Sequence, residues 1–336
     1  MLDVLHEKMC AGAFVPGVYD AYTNAEYHAA DGISKSDLDL IHKSPAHYKA
    51  ARHEDTPALK LGTAFHTLVL EPARFIAEYD FIEGDRRTKA VKDAIKDAEA
   101  AGKIILTKDE FDVVSGMHDS VFKSRIAATL IDGATIEHSV FAELDGVRVK
   151  CRPDGWNVGK GVLFDLKSTE DASPEGFART VAKYRYHVQD AFYRHVVASA
   201  TNCDADDLSF IFIAVEKKPP FAVALYQLDE LAALQGWVDA REDLRRYKAA
   251  KESGKWGGYS PRIETLSLPR WRSVLNRRKR KWQKIQRSQQ SRRRKDLSAR
   301  SAVQVRSKRR REWRNALLRR QLFPMLSEVS RDSRTR

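Results

Sequence analysis

A buried strand is predicted for Gly161-Val162-Leu163-Phe164-Asp165-Leu166-Lys167, an apolar segment interrupted near its end by two charged residues. Side chains alternate between the faces of a strand, so Asp165 and Lys167 point the same way as Leu163, and Phe164 and Leu166 point the other way. Because an isolated buried charge is costly, the two charged side chains must be paired, hydrated or bound to a metal ion. The strand is therefore expected to contribute side chains both to the hydrophobic core and to a polar site.

A second strand is predicted for residues 147–152, which are followed by Pro153 and Asp154. Proline has no backbone N–H and cannot continue the pairing of a strand. The segment between the two strands is rich in turn-forming residues, namely Gly155, Asn157, Gly159 and Gly161. We therefore expect the two strands to form a hairpin that brings the carboxylates of Asp154 and Asp165 within reach of one small, hard cation.

Two predicted helices carry further polar residues. Residues 58–70 form a buried helix in which His66 lies among apolar side chains, and this pattern also fits a core histidine bonded to a backbone carbonyl. Residues 172–200 are predicted to form one long helix, on which Gln189 and Tyr193 share a face because they are four positions apart. A glutamine and a tyrosine on an apolar helix can equally be a packing feature, so the pattern alone leaves both interpretations open.

The order of these motifs resembles a known nuclease family. Asp154 with Asp165-Leu166-Lys167 matches the PD-(D/E)xK signature, Gly62-Thr63-Ala64-Phe65-His66 matches a GxxxH motif, and Gln189-Asp190-Ala191-Phe192-Tyr193 matches a QxxxY motif. Both additional motifs accompany the signature in the RecB-like branch, and residues 17–271 resemble the RecE (exonuclease VIII) family of phages and prophages. The resemblance implies an α/β fold with a PD-(D/E)xK restriction-endonuclease-like core, in which helices flank a central mixed β-sheet.

The resemblance also implies roles for individual residues. Asp154 and Asp165 would bind the metal together with the backbone carbonyl of Leu166, Lys167 would act on the attacking water, and His66 would lie beside the metal. Gln189 and Tyr193 would contact DNA near the scissile phosphate. Two carboxylate ligands suit Mg²⁺, which commonly binds one or two carboxylates and keeps several waters. Mn²⁺ is expected to substitute for it.

The activity implied by the resemblance is degradation of linear double-stranded DNA from its 5′ ends, which leaves 3′ single-stranded overhangs for recombination by annealing. The partners implied are double-stranded DNA ends, a RecT-like single-strand annealing protein and further copies of the chain in a homo-oligomeric ring. Strand polarity and ring formation do not follow from composition or periodicity.

Further charged residues near the motifs are candidates without support from a motif. Glu143, at the end of a strand predicted for residues 136–144, is either a solvent-facing glutamate or an extra acidic group near the metal. Five basic residues could line a DNA channel, although each also fits an ordinary surface charge. They are Arg148, Lys150, Arg152, Lys183 and Arg185.

Charge is distributed unevenly along the 336 residues. The whole chain carries a formal net charge of +13, but residues 270–336 contain 25 Lys and Arg against 4 Asp and Glu, so the remainder is acidic. We predict a RecE-like nuclease domain over residues 1–271 and an Arg/Lys-rich tail over residues 272–336 that is disordered or partly helical. The tail could tether DNA, bind a partner or have no selected role.

Composition excludes several classes of protein. No run of about 18 apolar residues is present, and the first 30 residues lack a signal-peptide pattern, so we expect a cytoplasmic protein without a membrane partner. Three cysteines without a CxxC spacing argue against a disulfide framework or a zinc site. Three alternatives to the exonuclease remain: a PD-(D/E)xK endonuclease, a non-catalytic DNA-tethering protein that acts through the tail, and a metal-dependent hydrolase of another substrate.

Overall fold

The computed structural model describes residues 14–267 except Ala21, residues 52–56 and residues 84–86. The chain divides into two compact units, Met1–Pro261 and Arg262–Arg336, and nearly all described residues belong to the first. The predicted tail, which starts at Arg272, lies outside the described residues, and its proposed roles stay predictions.

The strands of the described part are short to medium in length. They are β1 (Gly17–Tyr19), β2 (Tyr79–Phe81), β3 (Ile104–Leu106), β4 (Thr135–Ile136), β5 (Ser139–Leu144), β6 (Val147–Cys151), β7 (Gly155–Asn157), β8 (Val162–Thr169), β9 (Ser209–Glu216) and β10 (Val223–Tyr226). The helices are α1 (Asn24–Ala29), α2 (Lys35–Lys43), α3 (Pro45–Ala50), α4 (Pro57–Leu70), α5 (Pro72–Glu78), α6 (Lys89–Ala100), α7 (Lys108–Lys123), α8 (Arg125–Ile131), α9 (Pro174–Lys183), α10 (Tyr186–Thr201) and α11 (Glu230–Ser253).

The central sheet has five strands in the order β10-β9-β8-β7-β4. Strands β8 and β9 are parallel, with Asp165 opposite Phe212, whereas β10–β9, β7–β8 and β4–β7 are antiparallel. The predicted mixed sheet flanked by helices is therefore confirmed.

A second sheet, with the order β1-β5-β6, is antiparallel throughout and changes two predictions. The predicted pairing of residues 147–152 with residues 161–167 is wrong, because β6 pairs with β5 and the hairpin partner of β8 is β7. The strand predicted for residues 136–144 is also interrupted, because Glu137 adopts a left-handed backbone with φ of 56° between β4 and β5. The chain thus passes between the two sheets twice, once at Glu137 and His138 and once at residues 152–154.

Strand β8 separates two apolar clusters, as its alternating pattern predicts. Leu163 packs on one face with Val149 of the second sheet and Phe192 of α10. Phe164 and Leu166 pack on the other face with residues of α4 and α7, including Phe65 and Met117. Since Asp165 and Lys167 alternate with Phe164 and Leu166, they project toward the side on which α10 packs.

Local sequence signals explain where some helices begin but not where all of them end. Ser34 followed three positions later by the acidic Asp37 is a sequence pattern that predicts a capping box, and the two residues form one at the start of α2. The single helix predicted for residues 172–200 is instead broken into α9 and α10 at Arg185, whose φ is 53°. The guanidinium group of Arg185 contacts Asp39 and Asp243, so tertiary ion pairs hold the break. No helix in the described residues is long and apolar enough to cross a membrane.

Candidate active site

Asp165 of β8 is the most enclosed polar group of the site, with only 3% of its surface exposed. Its Oδ1 accepts a hydrogen bond from Nε2 of Gln189 on α10. Its Oδ2 is buried and accepts no well-aligned hydrogen bond, although Nζ of Lys167 lies 2.5 Å away and forms an ion pair with it. Gln189 therefore orients one oxygen of this carboxylate, and the other oxygen faces the ammonium group of Lys167.

Asp154 follows β6 in the segment that passes from the second sheet to the central one. Its Oδ2 accepts a hydrogen bond from the backbone N–H of Leu166 at 2.6 Å, which ties this segment to β8 between Asp165 and Lys167. Burial, and then the negative charge of Asp165, raise the pKa of Asp154 to about 6, against the opposing effects of His66 and Lys167. The structure thus brings the two predicted carboxylates together, although through a different strand pairing.

His66 on α4 contacts the same backbone segment from the other direction. Its Nε2 lies 2.5 Å from the carbonyl oxygen of Leu166, and its Nδ1 lies 3.8 Å from Oδ2 of Asp154. A carbonyl oxygen can only accept, so Nε2 carries a proton and a neutral His66 has a lone pair at Nδ1. His66 therefore satisfies both sequence interpretations, because it bonds to a carbonyl and also lies beside the carboxylate site.

Glu137 is a member of the site that the sequence analysis missed. Its backbone N–H donates to the carbonyl oxygen of Asp154 at 3.2 Å, and its Oε2 lies 2.8 Å from Nε of Arg152. Burial, and then repulsion from Asp154, raise the pKa of Glu137 to about 8 against the opposing effect of Arg152. The residue looked like part of a continuous strand, and no local pattern reveals that the chain turns sharply there.

The two residues of the QxxxY motif differ in their contacts. Gln189 binds Asp165, so it positions a carboxylate instead of presenting its amide to solvent. Tyr193 packs against Phe210 of β9 with ring centroids 5.8 Å apart. Burial raises the pKa of Tyr193, and the nearby charge of Asp165 acts in the same direction, so the ring lies beside the site. The predicted contact of both residues with DNA stays a prediction.

Two of the other charged candidates, Glu143 and Arg148, have the exposed surroundings of ordinary surface charges, whereas Arg152 does not. Glu143 is exposed and lies opposite Arg148 in the β5–β6 pair, next to the turn at the opposite end of β6 from Asp154. Arg148 forms an exposed ion pair with Asp31 at 2.7 Å. Arg152 is largely buried, and it contacts Glu137 and the carbonyl of Tyr22. The structure therefore does not bring Glu143 or Arg148 to the carboxylates, and it uses Arg152 to pair with a buried acid.

The polar atoms of the site fit a hard divalent cation better than a soft one. The carboxylates of Asp154 and Asp165 and the carbonyl of Leu166 are oxygen donors, and the buried Oδ2 of Asp165 lacks a hydrogen bond. Within the described residues, no group of three or more His, Cys, Asp or Glu side chains is arranged to hold a metal by itself. These residues fit Mg²⁺, which uses few carboxylates and keeps waters or substrate oxygens in its shell.

Comparison with solved structures supports the fold. The crystal structure of a candidate exonuclease from Eubacterium rectale is similar with a TM-score of 0.52 and 14% sequence identity, covering 74% of this chain and 94% of that chain. A phage-related exonuclease from Haemophilus somnus 129PT is 12% identical and covers 67% of this chain and 97% of its own, but its TM-score of 0.29 carries no argument. At these identities the likeness shows the fold alone.

Comparison of sequences identifies the family. No protein of curated function matches the chain. The family profile of a PDDEXK-like domain of unknown function (DUF3799) matches residues 34–269, which include α2, the whole central sheet and every residue of the carboxylate site. The chain therefore belongs to the PDDEXK-like family DUF3799.

Proposed function

We propose that the protein is a nuclease and, more specifically, a Mg²⁺-dependent 5′-to-3′ exodeoxyribonuclease that acts on linear double-stranded DNA. The observation that carries the proposal is the convergence of Asp154, Asp165 and Lys167 around the backbone of Leu166, with His66 on one side. Membership of a PDDEXK-like family supports the reaction class. The preference for DNA ends and the polarity rest on the resemblance of the motifs to the RecE family.

The site divides the chemistry among its side chains. Mg²⁺ held by Asp154, Asp165 and the Leu166 carbonyl would supply Lewis-acid activation of water and of the scissile phosphate. Lys167 places an ammonium next to Asp165, where it would orient the attacking water and stabilise negative charge on the phosphoryl oxygens. Gln189 keeps the carboxylate of Asp165 in one orientation, and His66 does the same for the Leu166 carbonyl.

The biological setting is proposed from the same resemblance. The enzyme would shorten one strand at a double-stranded DNA end and leave a 3′ overhang for a RecT-like annealing protein. Further copies of the chain would assemble into a ring around the DNA. Mn²⁺ would replace Mg²⁺, because it accepts the same oxygen ligands.

The proposal is tested with linear duplex DNA labelled at either the 5′ or the 3′ end and with a covalently closed circle, in Mg²⁺. We expect early release of short 5′-labelled products, an intact circle and no cleavage by Asp165→Ala. The matched control is Asp119→Asn, which alters an exposed carboxylate on α7 that pairs with His118. Cleavage of the circle would favour the endonuclease, and turnover by purified Asp165→Ala would overturn the assignment of the site.

A further inference from the structure

A stack of three aromatic rings extends from the core to the surface beside the candidate active site. Phe212 of β9 is fully buried and stacks on Tyr186, with ring centroids 5.6 Å apart and planes inclined by 21°. Tyr186 stacks on Tyr184 at 5.8 Å and 23°. Tyr184 is 49% exposed, so the last ring of the stack presents an aromatic surface to solvent.

The middle ring of this stack contacts the lysine of the site. Nζ of Lys167 lies 4.6 Å from the centroid of the Tyr186 ring and 2.5 Å from Oδ2 of Asp165. One intervening ring, that of Tyr186, therefore separates Tyr184 from Lys167, the residue that is proposed to act on the scissile phosphate. A group stacked on Tyr184 would be a near neighbour of the reacting phosphate along the same strand.

Backbone contacts hold the outer ring in place. The N–H of Tyr184 donates to the carbonyl of Thr180 at 3.0 Å, and its own carbonyl accepts from Nζ of Lys35 at 2.7 Å. The next residue, Arg185, is anchored by ion pairs with Asp39 and Asp243. Because these contacts do not involve the Tyr184 side chain, the ring can be substituted without removing the support of the backbone.

A nucleobase is the ligand whose chemistry this surface fits. Every base has a flat π face, so exposed aromatic rings bind unpaired bases with little regard to sequence. Nζ of Lys183 now lies 4.8 Å from the centroid of the Tyr184 ring, and within the described residues no ion pair joins Lys183 to a carboxylate. An exposed cation–π contact is weaker than base stacking, so a base can displace the ammonium, which then remains available for a backbone phosphate.

We propose that Tyr184 and Tyr186 form a stacking site for an unpaired nucleobase of the strand that is cut, with Tyr184 making the direct contact. The inference rests on the proposed function, because it takes DNA as the substrate of the carboxylate site. The stacked base fixes the position of the DNA strand along the site. Tyr186 connects the stacked base to Lys167, because its ring contacts the lysine ammonium.

The test measures binding of a single-stranded oligonucleotide that contains 2-aminopurine, whose fluorescence is quenched when the base stacks. Ca²⁺ replaces Mg²⁺, so that the strand is bound without being cut. We expect the wild-type protein to quench the fluorescence and Tyr184→Leu to lose the quench, with a Kd about tenfold higher. Tyr184→Phe keeps the quench, because stacking does not need the hydroxyl group. Phe122→Leu is the matched control, since Phe122 is 43% exposed on α7 and contacts His118 instead.

A second variant protects the test against loss of folding. Tyr184→Trp offers a larger ring and is expected to bind more tightly than the wild type, which a merely destabilised protein would not do. Circular dichroism and thermal unfolding establish that each variant is folded. If Tyr184→Leu does not fold, a Kd for Tyr184→Trp that equals or exceeds the wild-type value overturns the stacking site.

Cleavage of linear duplex DNA in Mg²⁺ is measured in parallel, so that the two proposals can fail separately. If the wild type cleaves DNA and Tyr184→Leu binds the oligonucleotide as well as the wild type, the stacking site is overturned and the nuclease stands. If the quench depends on Tyr184 in a protein that cuts no DNA, stacking of an unpaired base on Tyr184 is supported, whereas the nuclease and the cutting of the bound strand are overturned. A wild-type protein that does not bind the oligonucleotide also overturns the stacking site.

Discussion

Two lysines, a buried one in the second sheet and a partly buried one in the central sheet, use their charge in different ways. Nζ of Lys150 on β6 donates to three carbonyl oxygens at the end of α1 and beyond it, those of Tyr27, His28 and Ala30, at 2.8, 3.2 and 2.6 Å. An ammonium has three donors, so Lys150 has none left for a ligand. Lys167 on β8 pairs with the carboxylate of Asp165 and lies over a tyrosine ring. The ammonium group of Lys167 can therefore still donate a hydrogen bond to a phosphate.

The pKa shifts of the two lysines follow from these neighbours. Burial lowers the pKa of Lys150, and the acidic groups that oppose this effect do not outweigh it. Burial acts in the same direction on Lys167 and is the largest single effect, but Asp165, Tyr186 and Asp154 together outweigh it and raise the pKa of Lys167 above its ordinary value. Neutral carbonyls accept all the hydrogen bonds of the structural Lys150. The clustered carboxylates instead favour the charged form of Lys167 at the candidate active site.

The largest effect is expected from Asp154→Asn, which removes a charge of the site and keeps its geometry. The amide oxygen can still accept from the N–H of Leu166, so the fold is retained. We expect cleavage of linear DNA to fall by about 10³-fold or more, because metal-ion stabilisation of the transition state is worth several kcal/mol. Initial rates and Mn²⁺ titration calorimetry measure the change, with Asp119→Asn as control. Wild-type rates with unchanged Mn²⁺ affinity would contradict the assignment of this ligand.

Lys167→Ala separates the role of the ammonium from metal binding. We expect kcat to fall by about 10²–10³-fold, the typical result of removing one group that stabilises developing charge. Mn²⁺ binding should persist, because Asp154 and Asp165 remain. Lys160→Ala, which changes an exposed lysine near the start of β8, provides the control for loss of a positive charge. A kcat within tenfold of the wild type would show that Lys167 has no direct part in the reaction.

Lys150→Met is the structural counterpart and should act on stability. Methionine replaces the apolar stem but leaves the carbonyls of Tyr27, His28 and Ala30 without the lysine donor, which we expect to lower the free energy of unfolding by about 3 kcal/mol. Urea denaturation measures the loss, with Lys160→Met as the exposed control. Under conditions in which both proteins are folded, DNA cleavage by Lys150→Met should match that of the control. A specific loss of activity with unchanged stability would reverse the comparison.

The smallest effect is expected from Glu143→Gln. Glu143 is exposed and lies opposite Arg148 in the second sheet, so its charge is screened by water and has no contact with the carboxylates of the site. We expect the cleavage rate and the midpoint of thermal unfolding to stay within experimental error of the wild type. A tenfold loss of activity would restore the sequence-based hypothesis that Glu143 supports the metal.

The local sequence predicted the components of the site better than their arrangement. Alternation along β8 assigned Asp165 and Lys167 to one face and Phe164 and Leu166 to the other, and the packing confirms both. The pairing of β6 with β8 was predicted incorrectly, because the turn residues between Asp154 and Asp165 fit a hairpin of β6 with β8 as well as they fit the observed hairpin of β7 with β8. Local preferences identify a turn, but they do not identify which flanking segment pairs across it.

The basic and acidic residues without a motif show a similar limit. Arg148 and Arg152 were nominated because they lie near the motifs in the sequence, and Glu143 because it ends the strand predicted for residues 136–144. Their environments depend on the register of β5 against β6 and on the return of the chain past Glu137. Nearness along an extended strand is a poor guide to nearness in space, since each residue adds about 3.3 Å.

By itself the sequence determined the family motifs, the two faces of β8, the capping box before α2 and the polar residue types of the site, because periodicity, caps and charge are local properties. Only the tertiary structure decided that Glu137 joins Asp154, that Arg185 interrupts the helix before Gln189, and that the rings of Tyr184 and Tyr186 stack beside Lys167. Glutamate and arginine have no intrinsic preference for a left-handed backbone. Contacts between segments distant in sequence impose these turns, and no local pattern records those contacts.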